Sequence, residues 1–330
     1  MSQELIILPG GADELAKSSI EQFAEPASRY VKKGREGADA TSRAYAGDWK
    51  RFTAFCVEFG RQPLPADVVT VAAFVTYLAE EGKKVATVQR HLASINKYHY
   101  LQNLPSPTPA QQLKDLLKGI LREKGSRQKQ ADAFPLQEFK RVVRSIDTSK
   151  PKGLRDRALL LLGFAGAFRR QELSNLDLDD LQFTAGELIV QLKRSKTNQT
   201  GEAEEKAIFY SPDMETCPLR TLQQWVDYLR GQGQETGPVF RSFRLGGRGS
   251  HTLTQRRLHP TAINKIVQAW LGETYSAHSL RASFVTVAKL NGAEDSEVMN
   301  QTKHKTPAMI RRYTRLDNVT QHNAGKKLGL

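Results

Sequence analysis

Residues 278–281 read HSLR, residues 303–306 read KHKT and residues 311–315 read RRYTR, so His278, Arg281, His304 and Tyr313 follow one another in the last third of the chain. Upstream, FRRQEL at 168–173 supplies Arg169 and Glu172, and RSKT at 194–197 supplies Lys196. His278 and Arg281 stand one helical turn apart, so both side chains project from one face. Near a helix start that face meets an anion where the backbone dipole already favours one. Arg169 keeps the same step to Glu172, which Arg170 does not, and an arginine at the rim of an apolar run can present a two-pronged fork to a phosphate. A lysine on a polar loop, as Lys196 is, can reach a site and donate a proton to a leaving oxygen once its pKa is lowered. Tyr313 sits between Arg312 and Arg315, and positive surroundings favour the phenolate a nucleophile needs. Taken singly, each has a plainer reading: a surface pair, an intrahelical ion pair, a solvated lysine, a tyrosine at a core edge. Taken together, two arginines, two histidines, a lysine and a late tyrosine can cut a phosphodiester without a metal.

Charge points the same way. The chain carries 49 Lys+Arg against 35 Asp+Glu, a formal charge of +14 and a pI near 9.7. Nucleic-acid binding draws much of its affinity from phosphate neutralisation, so a polyanionic partner is expected, with solubility as the plain alternative. A hydrophobic fraction of 39% fits a packed globular protein. Cys56 and Cys217 are far apart and in no metal-binding or disulfide pattern. Leu5 to Leu8 is too short an apolar run for a secretory signal. The run from Ala158 to Phe168 is too short to span a bilayer. A cytoplasmic, nucleoid-associated protein with no membrane partner is the expectation.

Apolar periodicity divides the chain. Residues 1–39 lack it and read as a tail. From Thr41, Tyr45, Trp49, Phe52, Cys56 and Phe59 mark one helix face. Further helices fit 67–81, 86–101 and a fourth opened by Thr108 as N-cap with Pro109 first. Residues 40–124 thus form an all-α domain. Its third helix shows Gln89, Arg90, His91, Asn96 and Lys97 outward, a set that suits either a DNA groove or solvent. Residues 125–134 are a basic linker with Arg127 and Lys129. Beyond Pro135 helices dominate around one small sheet, with strands at 180–183, 187–192 and 206–209; the last two form a hairpin around the loop holding Arg194 and Lys196. GGRG at 246–249, among Arg241, Arg244, Arg256 and Arg257, reads as a loop that grips a nucleic-acid backbone.

The order FRRQEL, RSKT, HSLR, KHKTPAMIRRY resembles the tyrosine recombinases, or tyrosine integrases, of the Cre and Xer type, over roughly residues 40–320. Two departures stand out. The family usually has glycine before its second histidine, where this chain has Lys303, and often has a Ser/Thr pair before the tyrosine, where Met309 and Ile310 stand.

The resemblance implies a mainly α fold. A four-to-five-helix core-binding (SAM-like) domain precedes an α-rich catalytic domain (residues 135–330) with a small three-stranded antiparallel sheet and a C-terminal exchange segment. It implies that Tyr313 attacks the scissile phosphate, leaving a 3′-phosphotyrosyl bond and a 5′-hydroxyl. Arg169 and Arg281 would brace the non-bridging oxygens, Lys196 would protonate the 5′-oxygen, and His278, supported by Glu172, would serve as acid/base. His304 would hydrogen-bond the phosphate or orient its neighbours. Neither metal nor other cofactor is implied. The implied DNA contacts are Arg90, Lys97, Arg127, Lys129, Arg194, Arg244 and Arg256. The implied partner is duplex DNA with a short inverted-repeat core site, met by a chain that is monomeric when free and tetrameric in the synapse. A type IB topoisomerase uses the same chemistry and is the nearest alternative; a catalytically silent DNA-binding protein is the other.

Overall fold

The structure, a computed structural model, describes residues 23–35, 39–125, 131–192, 204–246, 251–304 and 306–311. The chain divides into two compact units, residues 1–128 and 129–330.

The first unit is helical: α1 (Ala24–Arg35), α2 (Asp39–Glu58), α3 (Val68–Glu80), α4 (Val85–Leu101) and α5 (Gln111–Lys124). The apolar stripes of α2 to α5 meet in one core, in which Phe52, Cys56, Phe74, Val75, Leu78 and Val88 are fully buried. Asp67 caps α3 by accepting the Thr70 backbone N–H at 2.7 Å. Three expectations are corrected. Helix α1 occupies part of the stretch read as a tail. Helix α5 begins after Ala110, because the Thr108 N–H is engaged by Ser106 Oγ in a preceding turn. Phe59 is exposed past the end of α2, and Phe55 takes the inward position instead.

The second unit opens with α6 (Leu136–Ser145), α7 (Pro151–Ala165) and α8 (Arg170–Asn175). A 3-10 turn (Leu178–Asp180) leads into strands β1 (Leu181–Phe183), β2 (Glu187–Leu192) and β3 (Glu204–Phe209). These form an antiparallel sheet in sequence order, with Val190 opposite both Leu181 and Lys206. After α9 (Pro218–Gly231) come β4 (Arg241–Leu245), β5 (His251–Arg257), α10 (Pro260–Leu271), α11 (Ala277–Leu290), α12 (Asp295–Thr302) and α13 (Pro307–Arg311). Helix α7 is the axis of this unit: Ala158, Leu159, Leu160 and Leu162 are fully buried. Gly163 lets α7 close on its neighbours, since a Cβ there would lie 2.9 Å from both Leu173 and Leu280 side chains. That close approach brings α8 and α11 together beside the C-terminal end of α7.

The β4–β5 hairpin was not expected; this stretch reads as a basic loop within a helical remainder. Its alternation explains it. Phe243 and Leu253 pair across the strands on the partly buried face, and Ser242 and Thr254 hydroxyls bond at 2.7 Å. Among the described residues no helix is long and apolar enough to cross a membrane.

Candidate active site

The site is built where α7 ends. Gly166 terminates the helix, Ala167 turns left-handed at φ +46°, Phe168 is buried, and Arg169 becomes the N-cap of α8. This reversal puts Arg169 and Glu172 on the first turn of α8. The Glu172 carboxylate accepts the Arg169 backbone N–H at 2.9 Å and its guanidinium at 2.5 Å. Arg170 points to solvent.

Helix α11 delivers the second arginine. Arg281 is 1% exposed, and its Nη1 donates to the Ala167 carbonyl at 2.7 Å. His278, one turn earlier on α11, has a solvent-facing edge. Loss of hydration, then Arg281 and Arg169, lower its pKa below the ordinary histidine value. Helix α12 ends in Lys303 at φ +55°, ψ +44°. Its carbonyl accepts Arg169 Nη2 at 3.4 Å, and the reversal tucks His304 inward at 6% exposure. The Thr302 hydroxyl lies 2.9 Å from His304 Nδ1. Burial, reinforced by Arg281, Arg169, His278 and Lys206, drives the His304 pKa down to about 3. Both imidazoles are therefore neutral at pH 7 and can take a proton or accept a hydrogen bond.

Lys303 thus holds the left-handed conformation that glycine adopts without a steric cost. Gln301 fixes the same helix end, donating to the Ala165 and Ala207 carbonyls at 3.2 and 3.0 Å.

The structure thus gathers Arg169, Glu172, His278, Arg281 and His304. It also brings in a residue that the sequence reading passed over. Lys206, on β3, has a fully buried side chain. Its Nζ donates to the Gly166 carbonyl at 2.7 Å and the Ala167 carbonyl at 3.3 Å, and lies 3.6 Å from Glu172 Oε2. It also sits over the Phe168 ring. Burial, aided by Arg281 and Arg169 and opposed by Glu172, lowers its pKa to about 7. Burial also works against the charge on Glu172, but Lys206 and Arg169 prevail and hold its pKa below the usual carboxylate value. Lys206 shares strand parity with buried Ile208, the one signal that could have found it.

Tyr313, Lys196, Arg127, Lys129 and Arg194 lie outside the described residues. Of the remaining basic positions, Arg90 is tied by two bonds, 2.7 and 2.8 Å, to Asp48. His91, read as outward, is buried beside the same carboxylate. Lys97 lies over the Tyr100 ring. In the β4–β5 hairpin, Arg244 and Arg256 are exposed. The flanking arginines serve the fold: Arg241 is buried on Gln234, Thr236 and Pro238, and Arg257 pairs with Asp177.

A helical N-terminal unit, a three-stranded sheet in a helical second unit, and two arginines drawn to one turn define the class to which comparison then attaches a family. Residues 134–319 match the Phage integrase family, and residues 20–102 match its N-terminal SAM-like domain. The chain is 32% identical over 313 residues to an integrase/recombinase XerD homolog of Selenomonas ruminantium, covering 92% of this chain and 89% of that one. It is 26% identical over 339 residues to the recombinase Cre of Escherichia phage P1, covering 96% and 94%. The fold is shared with the XerH site-specific recombinase bound to a palindromic difH substrate (TM-score 0.56, 19% identity, 79% of this chain and 71% of that one). It is also shared with a lambda integrase dimer bound to a COC′ core site (TM-score 0.55, 13% identity, 87% and 93%). The chain belongs to the phage integrase family, the tyrosine site-specific recombinases.

Proposed function

We propose that this protein cuts and rejoins duplex DNA at a specific site through a phosphotyrosyl bond on Tyr313. The observation that carries the reading is the convergence of Arg169 and Arg281 on one turn, flanked by two histidines that are neutral at pH 7. Such a set of fixed donors stabilises charge that builds on the non-bridging oxygens of a pentacoordinate phosphorus.

In this reading the Tyr313 phenol oxygen attacks phosphorus and its proton passes to His278. The bond from phosphorus to the 5′-oxygen breaks, and Lys196 protonates that oxygen. His304, its ring set by the Nδ1 contact with the Thr302 hydroxyl, orients its neighbours beside the phosphate. The 3′-phosphotyrosyl ester keeps the energy of the broken diester, so a 5′-hydroxyl from a second strand reverses the step without ATP or metal.

The Xer-type and lambda integrase structures that share this fold are complexes with DNA, which supports a duplex partner. Residues 40–124 serve as the core-binding domain and 135–330 as the catalytic domain, joined by the basic linker. Four copies assemble on two sites, and the segment after Tyr313 docks on a neighbouring copy. An apolar cleft of about 660 Å³ lined by Phe139, Phe164, Phe209 and Phe284 suits that role.

The test uses a library of nicked duplexes with randomised arms. Wild-type protein should leave a covalent protein–DNA adduct that survives denaturant, and Tyr313→Phe should leave none. Sequencing the trapped strands gives the site. Absence of any adduct with wild type, or its persistence in Tyr313→Phe, refutes the reading.

A further inference from the structure

A lysine whose side chain is fully buried needs a physical reason. Taking an ammonium out of water carries a heavy desolvation penalty even after relaxation. A methionine would fill the same space without that cost. Lys206 is not held by one good ion pair: Glu172 is 3.6 Å away and is already engaged twice by Arg169. Its closest partners are the backbone carbonyls of Gly166 and Ala167, the two residues that turn the chain from α7 into Arg169.

The Ala167 carbonyl accepts from both Lys206 and Arg281. The Glu172 carboxylate lies between Lys206 and Arg169. Among the described residues, Lys206 is therefore the side chain that reaches the anchor of Arg281, the partner of Arg169 and the turn between them. It comes from β3, the strand that follows the segment holding Lys196 in the sequence.

We infer that Lys206 is a positioning residue for the DNA-cleavage step: its buried ammonium ties the Gly166–Ala167 turn, Glu172 and the β2–β3 sheet together and so sets the spacing of Arg169 and Arg281 around the phosphate. This rests on the phosphotyrosyl reading above. The partly neutral ammonium that burial produces, with a pKa of about 7, is consistent with a site that gains a counter-charge when a phosphodiester enters, since an opposite charge favours the protonated form.

Lys206→Met keeps the length and apolar packing of the side chain and removes the donors. It is compared with wild type on the nicked duplex recovered with the wild-type protein. Three quantities are read: the melting temperature, the affinity for the duplex, and the single-turnover rate of adduct formation. We expect melting and affinity to match wild type and the adduct rate to fall about 100-fold, the cost of displacing reacting groups by about 1 Å. A methionine variant with wild-type adduct rate overturns the inference. So does one whose melting temperature and DNA affinity fall along with the rate, because Lys206 would then be structural only. Failure of wild type itself to form an adduct is a different result and refutes the phosphotyrosyl reading instead.

Discussion

Lys303 occupies a left-handed backbone position where the family usually has glycine, so replacing it by glycine should stabilise the protein. At φ +55° and ψ +44° an L-residue pays about 1–2 kcal/mol for contact between Cβ and carbonyl oxygen. Glycine avoids that contact but returns about 0.5–1 kcal/mol through the greater freedom of the unfolded chain. The lysine amine makes one exposed hydrogen bond, 3.2 Å to Asn300, worth a few tenths of a kcal/mol. The net is a gain of about 0.5 kcal/mol, and for a unit of roughly 200 residues each kcal/mol moves the transition by about 2–4 °C. Scanning calorimetry of the full chain should therefore show the transition of the second unit rising by about 1–2 °C in Lys303→Gly. Lys303→Ala is the control: it removes the amine and keeps the Cβ, so it should show no rise. A glycine variant that melts below wild type, or an alanine variant that gains as much as glycine, would refute the argument from backbone strain. The carbonyl that Lys303 offers to Arg169 is untouched by either change.

Other outcomes follow from the same contacts. Glu172→Ala leaves Arg169 and the buried Lys206 without their carboxylate, and breaking a buried pair costs about 3–5 kcal/mol, read as a lower urea midpoint. The histidines give stability a pH slope. The unfolded His304 takes up a proton near pH 6.5 while the folded one waits until about 3. The unfolded state therefore binds more protons in that window, and stability falls as pH drops through it, by on the order of 1 kcal/mol per pH unit. His304→Gln should flatten that slope in denaturant melts at pH 4 to 7. Replacing Arg244 and Arg256 together by alanine should reduce the dependence of DNA affinity on salt by roughly one unit of log–log slope per lost phosphate contact. Arg257→Ala should instead lower stability, because its partners are Asp177 and the Ser174 and Leu176 carbonyls.

What the sequence disclosed and what it hid separate along physical lines. Helices α2 to α5, the longer helices of the second unit and the three-stranded sheet were legible because each carries a stripe at its own period, as in Phe52 with Cys56 or Leu188 with Val190. The pairing of Arg169 with Glu172 was legible from their helical step, and the structure forms that ion pair. The β4–β5 hairpin was obscured because its strands carry four arginines, and charge was read as loop. Arg241 and Arg257 show the flaw in that reading: a guanidinium can be a structural donor to backbone carbonyls as readily as a surface charge. Arg90 was misleading for a related reason. Its partner Asp48 lies a whole helix away in the chain, and no local pattern announces a pairing of that range. Lys206 was hidden because lysine is rarely buried, so its inward parity beside Ile208 carried too little weight.

The two left-handed residues of the second unit explain why the arginines meet. Among the described residues only Asn103, Ala167 and Lys303 are non-glycine with positive φ, and the last two flank the site. Each such residue costs about 1–2 kcal/mol, so neither persists without compensation. Each reverses the chain at a helix end and turns its carbonyl toward a guanidinium: Ala167 toward Arg281, Lys303 toward Arg169. A hydrogen bond to a charged donor contributes about 1.5–3 kcal/mol, enough to offset the strain at Ala167, whose contact is 2.7 Å, while the 3.4 Å contact of Lys303 offsets less of it. The two arginines are thus set by backbone atoms, which sit in the fold more firmly than side chains do. Their remaining donors are directed by those contacts. Substituting either reversal changes where an arginine is anchored, even though neither residue carries the chemistry itself.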